Sequence, residues 1–374
     1  MFHTIITLAY TIPNIYMFLR IWQLFINKGY KVHYTLIYFL LASIYPVSNF
    51  IFEDNSGILG GFLISAANYI LPFYLYLFLS VLILDIFLLA NRLFKIIPAE
   101  KFRNTRFKVY CLSFMLILSA GVVIAGIINF NTIRTSEYQI GIPRKSSKIS
   151  HLKIAYVADF HLNKRTGINF VKRFAEKIEV ISPDLMIFGG DIVEGDREDE
   201  NLVSYEQVLS GIKARYGVFM VLGNHEHYAR QDQGSFFRKA GMTVLSDSIV
   251  IIDSSFYLVG RNDSHISTRM QIGELLKSVT DSLPVILVDH RPTEIDQVSR
   301  TSVDVQLSGH THNGQLFPIN LITRKVYELS WGHKKIGNTH FFVTSGIRLW
   351  GPPVRTAGKS EIMVIDINFT GKKP

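Results

Sequence analysis

Residues 152–162 read LKIAYVADFHL, a β-rich apolar run that closes on an acid and an imidazole. The two-residue period of a strand predicts that Asp159 and His161 share one face, a spacing suited to two ligands of one metal ion. Four more apolar runs downstream close in the same way. DLMIFGGD ends in Asp191, GVFMVLGNHE runs into Asn224, His225 and Glu226, LPVILVDH ends in Asp289 and His290, and VDVQLSGHTH ends in His310 and His312. INFVKRFAEKIEVIS, between the first two runs, has apolar residues at helical spacing, and a second helix is expected around YEQVLSGIKA. Further strands are expected at MTVLSD, SIVIIDSSFYLVG, HFFVTSG and EIMVIDIN. Strand and helix therefore alternate, and polar residues gather at the carboxyl ends of strands, where open α/β folds place their ligands. One such strand end is an ordinary polar terminus; five in one chain argue for a common point of convergence.

The order D-x-H, G-D, G-N-H-E, H, G-H-x-H resembles the calcineurin-like metallophosphoesterase superfamily, and the resemblance covers about residues 152–366. The extended form GHTHNGQ at 309–315, with an apolar N-terminal half, looks most like the membrane-bound bacterial branch. That branch includes cell-envelope phosphoesterases and UDP-2,3-diacylglucosamine pyrophosphatases of lipid A synthesis. The resemblance implies a four-layer α/β/β/α sandwich following a helical transmembrane domain. It implies a first metal held by Asp159, His161, Asp191 and His312, and a second held by Asp191, Asn224, His290 and His310, with Asp191 bridging. It makes His225 the catalytic histidine at the leaving group, with Glu226 in the acidic position after it. Asn313 departs from the branch, which usually has Gly there, but Asn also tolerates left-handed backbone. Independently of the family, mixed nitrogen and oxygen donors suit Mn²⁺, Zn²⁺ or Fe better than Mg²⁺ or Ca²⁺. Two such ions bridging a hydroxide can drive in-line displacement at phosphorus.

The first half has a different composition. Charge-free runs extend over 2–19, 34–52, 55–84 and 109–133, and a bilayer span needs ~20 apolar residues. Four spans within 1–131 are expected, with Arg20 snorkelling or facing the bundle. The start of the third run, around Gly57–Gly61, is expected to be re-entrant or interfacial. Asp85 is expected near the inner interface, within reach of water. Residues 132–151 are expected as a linker carrying one edge strand, and 152–370 as the phosphoesterase domain. Lys28 and Lys31 in the first loop, no basic residue in the second, and six between Arg92 and Lys108 in the third put the first and third loops inside. The protein is then a multi-pass bacterial inner-membrane protein whose polar half is extracytoplasmic; three spans would reverse that.

Among 374 residues, the first 130 hold 9 Lys/Arg and 4 Asp/Glu, and the rest hold 30 and 26. The polar half is nearly balanced, which disfavours a nuclease because phosphate-backbone binding needs a basic stripe. A single cysteine, Cys111, excludes an intrachain disulfide framework and Cys-based zinc sites. Arg348 and Arg355, on a Gly/Pro-rich loop with Leu349 and Trp350, are candidates for substrate phosphate, and Trp350 with Leu349 for the lipid interface. The acidic run 194–200 reads as a solvated loop. His227 and His265 are candidates to line the cleft, while His151, His333 and His340 read as structural or exposed. The expected partners are the bilayer and a phosphorylated, lipid-linked or envelope-derived substrate, with no nucleic acid. The alternatives are a UDP-2,3-diacylglucosamine hydrolase, if the polar half is cytoplasmic, and a non-catalytic metal-binding receptor or scaffold.

Overall fold

The computed structural model describes residues 2–51, 57–194, 201–228 and 234–371. The chain divides into two units. One is residues 1–128 with 351–356, and the other is 129–350 with 357–374.

The first unit is helical: α1 (Phe2–Leu24), α2 (Lys31–Ile51), α3 (Ile58–Phe94), α4 (Ala99–Arg103) and α5 (Thr105–Asn131). Among the described residues, α3 and α5 are long and apolar enough to cross a membrane. The α1 and α2 helices cover the first two charge-free runs. The start of the third run, expected to be re-entrant or interfacial, is helical from Ile58 and continuous with the rest. The α3 helix runs unbroken for 37 residues with Pro72 inside it, about 55 Å at 1.5 Å per residue, so one helix outruns a ~30 Å hydrocarbon core.

Arg20 and Asp85 do not reach separately for water. Arg20 Nε donates to Asp85 Oδ2 at 2.7 Å, a second guanidinium nitrogen meets Oδ1, and the Tyr16 hydroxyl donates to the same carboxylate. A charge among apolar helices is costly unless it is matched, and this pair joins α1 to α3. We expect Arg20→Leu to destabilise the detergent-solubilised chain by about 2 kcal/mol, and Arg20→Leu with Asp85→Leu to recover most of the loss. Thermal melts of the two variants check this; equal melting points would contradict a matched pair.

The second unit is α/β. Its first sheet has the order β1 (Arg134–Pro143), β12 (Glu361–Thr370), β2 (His151–Val157), β3 (Leu185–Phe188), β4 (Val218–Met220), β5 (Thr243–Val244). Only the β12–β2 pair is antiparallel in it. The second sheet has the order β10 (Gly332–Ile336), β11 (Thr339–Val343), β9 (Val305–Ser308), β8 (Val285–Val288), β7 (Phe256–Gly260), β6 (Ser248–Ile252). The segment expected as a linker carries the ten-residue strand β1, paired with β12 from Arg134 opposite Glu361 to Pro143 opposite Thr370. SIVIIDSSFYLVG is not one strand but the β6–β7 hairpin. It turns at Asp253 and Ser254, both with φ of 48°, the left-handed backbone that a tight hairpin requires.

Strand periodicity builds the layers. Leu152, Ile154 and Tyr156 of β2 point between the sheets, where they meet Phe256, Leu258, Ile286, Val305 and Phe342. Ala155 and Val157 point the other way, onto α6 (Ile168–Ile181), α7 (Asn201–Ser210) and α9 (Gly234–Lys239) through Phe174, Leu209 and Phe237. The outer face of the second sheet packs Tyr257, Val285 and Leu287 on α10 (Ile272–Leu275) and α11 (Ile295–Val298). The result is the α/β/β/α sandwich. Its central strands are covered on both faces, which is why they read as continuous apolar runs rather than alternating ones. Two further helices, α8 (Asn224–Tyr228) and α12 (Ile319–Val326), follow β4 and β9.

Candidate metal centre

The strands stop short of the residues that carry the chemistry. β2 ends at Val157, and Asp159 and His161 lie beyond it with φ of 58° and 46°. Their convergence is therefore not a matter of strand pleat, as the sequence suggested, but of left-handed loop backbone. Asp191, His310 and His312 share that conformation, with φ of 55°, 68° and 49°. Left-handed backbone on non-glycine residues costs about 1–3 kcal/mol each, and it persists where surrounding contacts over-determine it. Here the loops hold each other: the N–H of Asp159 donates to Gly190 O at 3.0 Å and that of His161 to Asp191 O at 3.0 Å. Asn313 is left-handed too, at φ 48°, a backbone that Asn tolerates.

The loops bring donor atoms into three overlapping groups: Asp159, His161 and His312; His161, Asp191 and His225; and Asp191, His290 and His310. Asp191 is shared by the last two. His161 Nε2 faces His312 Nε2 at 3.3 Å, and His290 Nε2 lies 3.1 Å from Asp191 Oδ2. The other ring nitrogens are anchored, with His161 Nδ1 on Glu194 Oε1 at 2.7 Å and His290 Nδ1 on the carbonyl of Gly189 at 2.8 Å. Such outer partners fix tautomer and ring plane in metal-binding histidines. Asn224 is buried, and its Oδ1 has no hydrogen-bond partner. A buried amide oxygen without a donor is costly unless a cation takes it, so the donor set fits two divalent ions. Gly223 makes room, since a Cβ there would lie 2.2 Å from Asp191 Oδ1.

Burial and mutual charge set the protonation of the centre. Burial pushes Asp159 up to about 6. Burial also works against ionised Asp191, but His290, His161 and His225 hold its carboxyl well below the usual range. Burial alone would lower His290, yet Asp191 and Asp159 carry it up to about 10. His310 falls to about 3, through burial first and then the charges of His290 and Arg291. The neighbouring carboxylates thus favour a proton on His290, which a metal bound at that ring would have to displace. That proton competes with a metal, so apparent affinity for Mn²⁺ should fall as pH drops. Calorimetry in buffers of different ionisation enthalpy checks this by the proton released; pH-independent binding would contradict it.

His225 stands at the edge of the groups. Its Nδ1 lies 3.2 Å from Glu194 Oε1 and its Nε2 4.0 Å from Asp191 Oδ2. Burial lowers its pKa. Tyr228 and the half-exposed Trp350 flank its ring, with centroids 5.6 and 6.3 Å away, and His265 stacks edge-on against Tyr228. His227 sits beside this rim, close enough to Asp263 and His265 to feel their charges, although burial dominates its lowered pKa.

Two carboxylates do more than sequence reasoning gave them. Glu194, read as part of a solvated run, is held between two imidazoles; residues 195–200 of that run lie outside the described residues. Glu226 accepts the N–H groups of Asp191, Ile192, Val193 and Gly223 at 2.5–3.2 Å, tying two ligand loops together. Arg348 lies over the rings of Phe130 and Phe170 at 4.6 and 4.7 Å, and burial brings its guanidinium down to about 10. Arg355 is fully buried and groups with the helical unit, where its N–H donates to Gly126 O. A third arginine was not singled out. Arg291, directly after His290, is held through Nε by buried Asp263 at 2.8 Å, with its charge felt at His310. The only sequence signal for it was adjacency to a ligand.

Residues 152–314 match the family described as calcineurin-like phosphoesterase. A metallophosphoesterase of Aquifex aeolicus is 33% identical over 250 residues, 64% of this chain and 93% of that one. The chain belongs to the calcineurin-like phosphoesterase family. A Helicobacter pylori metallophosphoesterase is 34% identical over 56% of this chain, and the match spans only 58% of that relative's length. A Danio rerio transmembrane protein with a metallophosphoesterase domain is 26% identical over 66% of this chain and 60% of that protein. Family membership supports metal-dependent phosphoester hydrolysis in general, and clustered histidines and aspartates are present for it.

Proposed function

We propose that this phosphoesterase hydrolyses a phosphate ester or anhydride carried by a lipid-linked or envelope-derived molecule at a membrane. The observation that carries the chemistry is the shared Asp191, with one donor group on each side of it and the unpartnered oxygen of Asn224. Asp159, His161, Asp191 and His312 would hold one ion and Asp191, Asn224, His290 and His310 the other. Mn²⁺, Zn²⁺ and Fe suit these donors. Two divalent ions there supply positive charge to phosphoryl oxygens and acidify water.

The chain's own residues then do the rest. The Glu194 carboxylate lies 3.2 Å from Nδ1 of His225, on the side of the ring away from Nε2, which faces the shared carboxylate and the donor groups. Burial disfavours the imidazolium of His225 and the charges of Asp191 and Glu194 favour it, so a ring protonated at both nitrogens would give its Nε2 proton readily to the departing oxygen. Glu226 keeps the Asp191 loop and the Asn224 loop in register through its four N–H contacts. Arg291 offers a cation beside His310 for a substrate oxygen. Arg348, stacked on two rings, serves packing better than phosphate binding.

The membrane part of the reading rests on the two long apolar helices, which would hold the catalytic unit where lipid-borne phosphates are found. The basic loops support a four-span topology with an extracytoplasmic polar unit, and alkaline phosphatase fused after Pro374 should then be active; an inactive fusion would turn the reading toward a cytoplasmic UDP-linked acylated sugar. For the chemistry, the full chain in Mn²⁺ should hydrolyse bis-p-nitrophenyl phosphate. Asp191→Asn should lose both metal, by elemental analysis, and activity. His225→Ala should keep metal and lose about 10²–10⁴ in kcat. Metal-free wild-type protein would refute the proposal, as would full activity in both variants.

A further inference from the structure

The α12 helix is built inside out. A helix on the surface of a globular unit turns its apolar stripe to the core and its polar residues to water. In α12 the buried residue is Asn320, whereas Ile319, Leu321, Ile322 and Val326 are exposed at 42%, 48%, 64% and 70%. Ile319, Ile322 and Val326 recur at i, i+3 and i+7, so they form one ridge along the helix. Phe317, just before the helix, adds an exposed ring at 50%. Arg324 and Lys325 are exposed on the same eight-residue helix.

We propose that α12 is an interfacial helix that seats the phosphoesterase unit on an anionic bilayer surface. An apolar ridge flanked by cations is the pattern that lies in the headgroup region, apolar side down, with basic side chains on lipid phosphates. The occupant is a bilayer because the ridge and the charges of α12 match its two layers, and because the chain carries two helices of spanning length and apolarity. The buried side of α12 gives the docking a consequence. Gly314, two residues after His312, has φ of 69°, and a Cβ there would lie 2.6 Å from Asn320 Cα. The helix is thus pressed onto the loop that carries a candidate ligand. Seating α12 in the interface holds that loop about one helix diameter, ~10 Å, from lipid headgroups. A phosphate that stays attached to its lipid can then reach the donor groups.

The test uses the full chain with Cys111→Ser and a single new cysteine at Ile322→Cys or Val326→Cys, labelled with nitrobenzoxadiazole. The labelled protein is reconstituted in phosphatidylglycerol-rich nanodiscs with or without lipid bearing a doxyl group high on the acyl chain. Both labels should lose roughly half their emission to the doxyl lipid, as expected for side chains ~5–10 Å into the interface. A label at Val180→Cys, an exposed position of α6, should lose none. Arg324→Gln with Lys325→Gln should reduce the quenching. Labels at Ile322 and Val326 no more quenched than at Val180 would overturn the proposal, whether they remain open to aqueous iodide or are covered by a second copy or another protein. The readout involves neither metal nor turnover, so its failure is separable from failure of the proposed hydrolysis.

Discussion

Everything in the polar unit depends on how a buried carboxylate, Asp191, is kept charged. It is 1% exposed and sits among His161, His225 and His290, with a second buried acid, Asp159, close enough to be felt by the same imidazoles. Two acids in a low-dielectric place are tenable only if positive charge is brought to them. The carboxylates favour a proton on His290. Divalent ions would satisfy several donors at once, among them the Asn224 oxygen that no hydrogen bond reaches. Metal affinity and the electrostatics of the fold are thus one problem with one solution.

The geometry that solves it is expensive in backbone terms. Five of the seven candidate ligands have left-handed φ, and none is a glycine. Such loops hold their shape because they are laced to each other rather than because each is locally favourable. The Asp159–His161 segment bonds along the Gly190–Asp191 segment, and Glu226 takes four N–H groups from the Asp191 and Gly223 stretches. Beneath them the sandwich core fixes where each strand ends. Cooperation between a rigid sheet and strained tips places the ligands on parts of the molecule least able to drift.

Much of this was legible in the chain. Apolar runs ending in Asp, Asn or His marked the parallel strands and named every residue of the three donor groups, and uninterrupted apolar stretches marked the long helices. Strand pleat is not what brings Asp159 and His161 together, because strand periodicity stops at Val157 and loop torsions take over. Glu194 was hidden in an acidic run whose composition resembles any solvated loop. The Arg20–Asp85 pair was hidden by a sequence separation of 65. The β6–β7 turn was hidden by a pair of residues with no glycine between them.

What the sequence by itself determined is local: which segments are strands or helices, and which chemistry sits at their ends, because hydrophobic periodicity and residue type act within a few positions. Only the tertiary structure decided which acid faces which imidazole, that Asp85 has a mate in Arg20, and that α12 turns its apolar ridge away from the core. Those outcomes depend on distances between segments far apart in the chain, set by how two sheets and their covering helices pack.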